Sequence, residues 1–258
     1  MGGRRQQCQY RKGPIMKAGI TTLMAALLLA GCATTAPPPD ERHPRDPWEP
    51  YNRNMFQFNS AIDRAIIRPL AVGYGKVTPT PVRRSIRNFF TNIRSPVDQI
   101  NLLLQGRPGD AGTEFARFVF NATLGLGGLF DVASNGDIED FEEDFGQTFA
   151  VWGWENSRFF ILPLMGPSTV RDGLGRIPDG YADIAWRWTL EETTHGLIGL
   201  NIIQGRHAML PLDEDIESAY DPYSFVRDGW LQRRNHAITD GEDELPDYES
   251  FIDDDWEE

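Results

Sequence analysis

The chain has 258 residues and a formal net charge of −13, with 38 acidic and 25 basic side chains. A net negative charge repels the phosphate backbone, so nothing here indicates nucleic-acid binding. The length is ample for one large domain with tails, and only two cysteines occur, at Cys8 and Cys32.

Residues 1–31 have the layout of a secretory signal peptide. Basic residues come first, an apolar run covers residues 18–30, and no acidic residue precedes Cys32. The run is shorter than the roughly 20 residues of a membrane-spanning helix, so we expect it to be cleaved off, and Cys8 with it. It ends in Leu29-Ala30-Gly31-Cys32, which resembles the lipobox of bacterial lipoproteins. Cys32 is therefore predicted to carry a lipid anchor, and the alternative is a buried helix that happens to end in cysteine.

Composition divides the remaining chain into three parts. Residues 32–45 include three consecutive prolines and are predicted to form an extended, lipidated linker. Residues 46–238 are predicted to form the folded domain. Residues 239–258 contain eleven acidic side chains and no Lys or Arg, which is typical of a disordered tail. A docking segment for a basic partner is the alternative for that tail.

The start and stop signals along the folded domain are those of helices. An apolar stripe from Tyr51 to Ile66 predicts a helix that stops before Arg68-Pro69. Further helix starts are predicted at Thr80-Pro81, at Ser95-Pro96, after Asp110 and after Asp221-Pro222, with Gly106 ending the third helix. A short β-hairpin is predicted within residues 151–165, around an Asn156-Ser157 turn. The fold class is therefore mainly α.

The segment from Phe115 to Ala133 is the most unusual. It is almost uncharged, and Gly125, Gly127 and Gly128 lie in its middle. Glycine disfavours a helix interior by up to about 1 kcal/mol relative to alanine, so a bend between two apolar arms is predicted. One interpretation is an ordinary buried hairpin. The other is a hairpin that sits in lipid and flexes at its glycines.

Ordered blocks across residues 46–234 resemble the MlaA (VacJ) family of outer-membrane lipoproteins. The blocks are Asp46-Pro47-Trp48-Glu49-Pro50-Tyr51-Asn52-Arg53, Leu103-Leu104-Gln105-Gly106, Leu124-Gly125-Leu126-Gly127-Gly128 with Asp131-Val132-Ala133, Gly166-Pro167-Ser168-Thr169 and Tyr220-Asp221-Pro222-Tyr223. Each block alone is weakly specific, and their order along the chain carries the resemblance. Residues 191–212 show no motif of this family.

The resemblance implies both a fold and a role. The implied fold is a ring of amphipathic helices embedded in the inner leaflet of the outer membrane, around a central amphipathic channel. The implied function is to remove mislocalised phospholipids from the outer leaflet and pass them to the periplasmic carrier of the Mla system, which maintains lipid asymmetry. The implied partners are a trimeric porin and that carrier, and the lipid-anchored protein would face the periplasm.

The predicted lipid-channel residues lie in the apolar segment. Arg117 and Asn121 are one helical turn apart and could face a lumen together, because an ionisable residue within a membrane faces a cavity or a partner. A salt bridge from Arg117 to Asp131 is the alternative. The three glycines would permit movement of the arms. The remaining residues assigned to the channel and hairpin are Phe115, Phe118, Leu124, Leu126 and Phe130.

The alternative functions are an envelope lipid hydrolase and a passive porin-tethering scaffold. A hydrolase needs an activated nucleophile, yet no G-x-S-x-G sequence occurs, and Ser168 lacks the second glycine. The four histidines are isolated and suggest no metal site, and no cofactor is expected. An enzyme is therefore not predicted.

The arginine-rich helix from Pro81 to Arg94 fits either an ordinary surface helix or one that meets anionic headgroups.

Overall fold

The computed structural model describes residues 43–183 and 191–241, without the side chains of residues 191–194. Within these ranges the prediction of a mainly α fold is confirmed. The α-helices are α1 (Glu49–Ile62), α2 (Arg68–Val77), α3 (Thr80–Leu104), α4 (Pro108–Thr123), α5 (Phe145–Val151), α6 (Val170–Ala182), α7 (Glu191–Met209), α8 (Asp213–Ser218) and α9 (Pro222–Ile238), and the strands are β1 (Phe159–Leu162) and β2 (Gly166–Thr169). The signal peptide, most of the linker and nearly all of the acidic tail lie outside the described residues, so those boundaries stay predictions.

The first helix does not stop before Arg68-Pro69, as the sequence predicted. A π-helical turn over Asp63–Ile67 joins α1 to α2 without a break. Proline cannot donate the backbone hydrogen bond that an α-helix requires. The wider π turn absorbs that irregularity, since the N–H of Arg68 reaches back to the carbonyl of Asp63.

A second proline was also misread as a helix start. Ser95-Pro96 lies inside the single helix α3, which continues to Leu104. The hydroxyl of Ser95 does not cap a new helix, because it donates a hydrogen bond to the carboxylate of Glu114 on α4. Ser95 therefore links α3 to α4 at the position of the proline. Gly106, with φ at +82°, follows the end of α3 as predicted.

The predicted short hairpin exists, but its turn was misplaced. Strands β1 and β2 pair antiparallel, with Phe159 opposite Thr169 and Leu162 opposite Gly166. The turn therefore lies at residues 163–165 and not at Asn156-Ser157. Leu164 and Gly166 adopt left-handed backbone conformations, with φ of +64° and +81°, which allow the chain to reverse there.

Two asparagines of α1 attach the hairpin to that helix. The side chain of Asn52 donates to the carbonyl of Phe159 at 3.3 Å and accepts from the N–H of Ile161 at 2.9 Å. About two turns further along the same helix face, Asn59 donates to the carbonyl of Leu162 at 3.0 Å and accepts from the N–H of Leu164 at 2.8 Å. Asn52 therefore pairs with backbone groups along β1, and Asn59 pairs with groups at the end of β1 and in the turn.

A small apolar core lies beside the hairpin. Its buried members are Met55, Phe159, Ile161, Tyr223 and Leu231. Helix α9 contributes the last two and begins as predicted, because the Asp221 side chain accepts from the N–H of Tyr223 at 3.2 Å. The guanidinium of Arg53 on α1 holds the same carboxylate through two hydrogen bonds of 3.0 and 2.6 Å. Sequence-distant ends of the domain are therefore joined here. No helix among those described is both long enough and apolar enough to cross a membrane.

Candidate functional site

The segment after α4 is a tight loop and not a second helical arm. Leu126, Gly127 and Gly128 have φ of +53°, +73° and +87°, which a right-handed helix cannot contain. The N–H groups of Gly127 and Gly128 donate to the carbonyls of Ala122 and Asn121, which closes the end of α4. Only the first predicted arm is α-helical, and we call residues 124–132 the glycine loop.

Two glycines of this loop are required by close packing. A Cβ atom on Gly128 would lie 2.5 Å from the Cβ of Asn92 on α3, and one on Gly125 would lie 2.1 Å from the carbonyl oxygen of Phe130. Gly127 has open space around it. The glycine loop therefore rests directly on α3, and its backbone is hydrogen-bonded on both sides of the turn. Movement at these glycines stays a prediction.

A polar clamp fixes the base of the glycine loop. The side-chain oxygen of Asn121 accepts from the N–H groups of Val132 and Ala133 at 2.8 and 2.9 Å. Its amide nitrogen donates to Asp131 at 3.1 Å. Because Asn121 and Ala133 are both buried, the bond between them is shielded from water.

Arg117 completes the clamp. Its guanidinium contacts Asp131 at 2.8 Å and Asp140 at 3.3 Å, and it donates to the carbonyl of Ile138 at 2.9 Å. Arg117 is only 5% exposed. The salt bridge to Asp131, which the sequence left as an alternative, is therefore formed. Hydrogen bonds from Asn121 and Ser134, together with the charge of Arg117, outweigh burial and lower the pKa of Asp131.

Apolar side chains cover the outside of the clamp. Six of them are between 40% and 67% exposed, namely Phe115, Phe120, Leu124, Leu126, Leu129 and Phe130. Phe118 is half-buried. The structure thus brings the predicted channel residues together into one unit, with a charged, buried base and an apolar outer surface. Exposed apolar side chains in this number along one segment are typical of a surface that contacts a membrane or another protein.

The sequence reasoning missed a carboxylate on the same helix face. Glu114 lies three residues before Arg117 and is 2% exposed, and burial raises its pKa to about 7. Ser95 donates to one of its oxygens, and the backbone N–H of Phe141 also lies within reach of this carboxylate. Glu114, Arg117 and Asn121 are spaced by three and four residues, which was the available signal.

The distribution of polarity across the described residues is inverted. Nineteen buried residues are polar or charged against twelve that are hydrophobic, while 28 large hydrophobic side chains are exposed. A water-soluble domain places its apolar residues inside. Asn101, Thr148 and Gln105 illustrate the interior: Thr148 donates to Asn101 at 2.7 Å and accepts from Gln105 at 3.1 Å.

An apolar cleft of about 570 Å³ lies beside the hairpin. It is lined by Trp48, Tyr51, Phe160, Leu162, Thr169, Val170, Gly173 and Leu174. The rings of Tyr51 and Phe160 stack with centroids 5.2 Å apart. Sequence patterns gave no indication that these residues meet, because they come from α1, the hairpin and α6.

The described residues offer no evident hydrolytic site. Ser168 is fully buried on β2, and its hydroxyl donates to the carbonyl of Thr169. His207 contacts the ring of Tyr74 edge-on, with centroids 5.7 Å apart. Within the described ranges, no group of three or more His, Cys, Asp or Glu side chains is placed to hold a metal ion.

Comparisons with known proteins agree on one family. The model of the MlaA lipoprotein family matches residues 44–237. The "Intermembrane phospholipid transport system lipoprotein MlaA" of Escherichia coli K12 is 33% identical over 256 residues, covering 93% of this chain and 97% of the relative. The lipoprotein of the same name from Haemophilus influenzae is 30% identical, covering 90% of this chain and 96% of the relative. A solved structure described as "Structural basis for maintenance of bacterial outer membrane lipid asymmetry" has a TM-score of 0.62 at 32% identity, covering 75% of this chain and 98% of that chain. The chain therefore belongs to the MlaA lipoprotein family.

Proposed function

We propose that this lipoprotein transports phospholipids at the bacterial outer membrane. It takes mislocalised phospholipids from the outer leaflet through a channel and passes them to a periplasmic carrier, which maintains lipid asymmetry. Relatives that cover nearly the whole chain are named for intermembrane phospholipid transport, which supports this role. Acyl chains on Cys32 would hold the protein in the membrane, at about 0.8 kcal/mol per buried CH₂ group.

The inverted polarity is the observation that carries the proposal. Exposed Leu, Phe, Ile and Trp side chains suit a hydrocarbon solvent, and buried Asn, Asp, Glu and Arg side chains suit a polar interior. A phospholipid headgroup crosses hydrocarbon only at a high cost in desolvation. A ring of amphipathic helices in the inner leaflet lowers that cost by surrounding the headgroup with polar groups while the acyl tails stay on apolar surface.

The glycine loop and its clamp have a specific part in this proposal. The apolar outer surface of the loop meets lipid tails, and Arg117 and Asn121 hold the base of the loop against α4 through Asp131. The left-handed turn at Gly127 and Gly128 is the place where the loop would tilt to open the channel. A trimeric porin is the proposed partner in the outer membrane, and the carrier of the Mla system is the proposed acceptor.

A lipid-transfer assay tests the proposal. The mature lipoprotein is reconstituted with fluorescent phospholipid in nanodiscs, and intact lipid appearing on the purified carrier is measured. Arg117→Ala and Gly127→Val should both slow transfer while leaving membrane attachment unchanged. The matched controls are Arg233→Ala, at an exposed arginine, and Gly112→Val, at a helical glycine with open space around it. Release of free fatty acid would indicate a hydrolase. No transfer by the wild-type protein would leave only a tether.

A further inference from the structure

One segment of the chain carries charge of the opposite sign to the rest. Residues 64–97 contain seven basic side chains and no acidic one, in a protein whose net charge is −13. The segment covers α2 and most of α3, together with the corner between them. A basic run of this length within an acidic protein needs either internal partners or an external one.

Three of the seven basic side chains have internal partners. Arg68 contacts Asp213 at 2.9 Å and Glu217 at 2.8 Å. Arg94 contacts Asp98 at 3.2 Å. Arg83 donates to the carbonyls of Gly75 and Thr78 at 3.0 and 2.6 Å. The last contact satisfies carbonyls at the end of α2 and fixes that helix to the start of α3.

Three others gather at the α2–α3 corner, which we define as residues 76–87, and the seventh, Arg64, lies in the π-helical turn before α2. Lys76, Arg84 and Arg87 are exposed, and none forms an ion pair within the part of the chain that the structure describes. Arg84 and Arg87 are three residues apart and therefore share a helix face. The corner also carries two exposed apolar side chains, Val77 at 80% and Val82 at 47%.

The opposite end of α2 has the opposite charge. Arg68 at its start is tied to α8, whose sequence Asp213–Ser218 includes four acidic residues. A ten-residue helix spans about 15 Å, which is nearly twice the Debye length of about 8 Å at physiological ionic strength. Salt therefore screens most of the repulsion that α8 would exert on an anion at the corner. An anionic surface would attract one end of α2 and repel the other, which orients the protein.

We propose that the α2–α3 corner binds the phosphate groups of anionic phospholipids in the headgroup layer of the leaflet that holds the helices. Unpaired basic side chains beside exposed valines are typical of a segment that lies in a membrane interface. Arginine suits this partner, because its guanidinium donates two parallel hydrogen bonds to a phosphate. The inference rests on the membrane location in the proposed function, but it is independent of lipid transfer.

The test places a fluorescent reporter at the corner. With Cys8 removed and Cys32 acylated, the mature chain has no other cysteine, so Val77→Cys can be labelled alone with an environment-sensitive dye. The labelled full-length lipoprotein is reconstituted in nanodiscs of phosphatidylcholine with increasing phosphatidylglycerol. Dye emission should rise and quenching by neutral acrylamide should fall as phosphatidylglycerol increases, and high salt should reverse both. A label on Tyr220→Cys, beyond the acidic α8, should show no such change.

Charge variants decide whether the corner is responsible. Arg84→Gln with Arg87→Gln should weaken the response to phosphatidylglycerol by about fivefold for each charge removed. Arg84→Lys with Arg87→Lys should retain most of it. The inference is overturned if the emission of the dye at position 77 does not change with phosphatidylglycerol when Arg84 and Arg87 are intact. It is also overturned if the variant with both glutamines shows the full change. Lipid transfer measured in the same discs separates these failures from a failure of the proposed function.

Discussion

Asn121→Ala should loosen the glycine loop from its base. The side chain of Asn121 is 6% exposed and makes three hydrogen bonds, two with backbone N–H groups and one with Asp131. Alanine keeps α4 helical, because it has the highest helix propensity. The substitution therefore removes the clamp without disturbing the helix that presents it.

The size of the effect follows from the two N–H groups that lose their acceptor. An unpaired buried donor costs about 1–3 kcal/mol. Ala133 is buried whereas Val132 is half-buried, so water can replace part of the second bond. We therefore expect a loss of about 2–4 kcal/mol in the free energy of unfolding. For a domain of this size about 2–4 °C of melting temperature corresponds to each kcal/mol, which gives a decrease of about 5–15 °C.

Thermal unfolding of the mature lipoprotein in nanodiscs measures this change, with lipid transfer assayed below the melting temperature. Asn88→Ala on α3 is the matched control, because Asn88 makes no side-chain hydrogen bond to another described residue and is half-buried. Its melting temperature should stay near that of the wild type. A melting temperature for Asn121→Ala equal to that of Asn88→Ala would refute the clamp.

Three further predictions concern pH, backbone conformation and anchoring. Burial raises the pKa of Glu114 from 4.5 to about 7, so its contribution to stability is complete below about pH 4.5 and is lost as pH rises through about 7. Glu114→Gln should reduce the slope of melting temperature against pH between those values, and a slope equal to that of the wild type would contradict this. Gly127→Val forces a β-branched residue into a φ of +73° and should lower stability by at least about 1–2 kcal/mol in thermal unfolding, whereas Gly112→Val should not. Cys32→Ser should abolish acylation, measured as the loss of the acyl mass in whole-protein mass spectrometry. A retained acyl mass would show that the acyl chains are attached to another residue.

Helix starts were predictable where the signal was local. Asp221 caps α9 through its own side chain, and Gly106 follows α3 in a left-handed conformation. Pro69 and Pro96 failed as breaks, because a π turn leads into Pro69 and because α3 is tied to α4 through Ser95 next to Pro96. Propensity rules describe one segment and contain no information about such neighbouring structure.

The candidate site was predictable in its residues but not in its geometry. The position of the apolar segment and the pairing options of Arg117 followed from composition. The sequence predicted a bend at the glycines but not the conformation after it, where three successive left-handed residues form a tight loop. Glu114 was missed because its burial depends on α3, and the spacing within α4 alone does not reveal which face another helix covers.

The paired and neutral state of the interior has a consequence for transport. Arg117 is neutralised by Asp131 and Asp140, and Arg234 by Asp144 and Asp172. Burial keeps much of Glu114 protonated near neutral pH. An isolated charge would bind a headgroup of opposite sign tightly and slow its release, whereas paired charges still offer hydrogen bonds with little net field. In the proposed channel, an interior of this kind would lower the barrier for headgroups of either net charge.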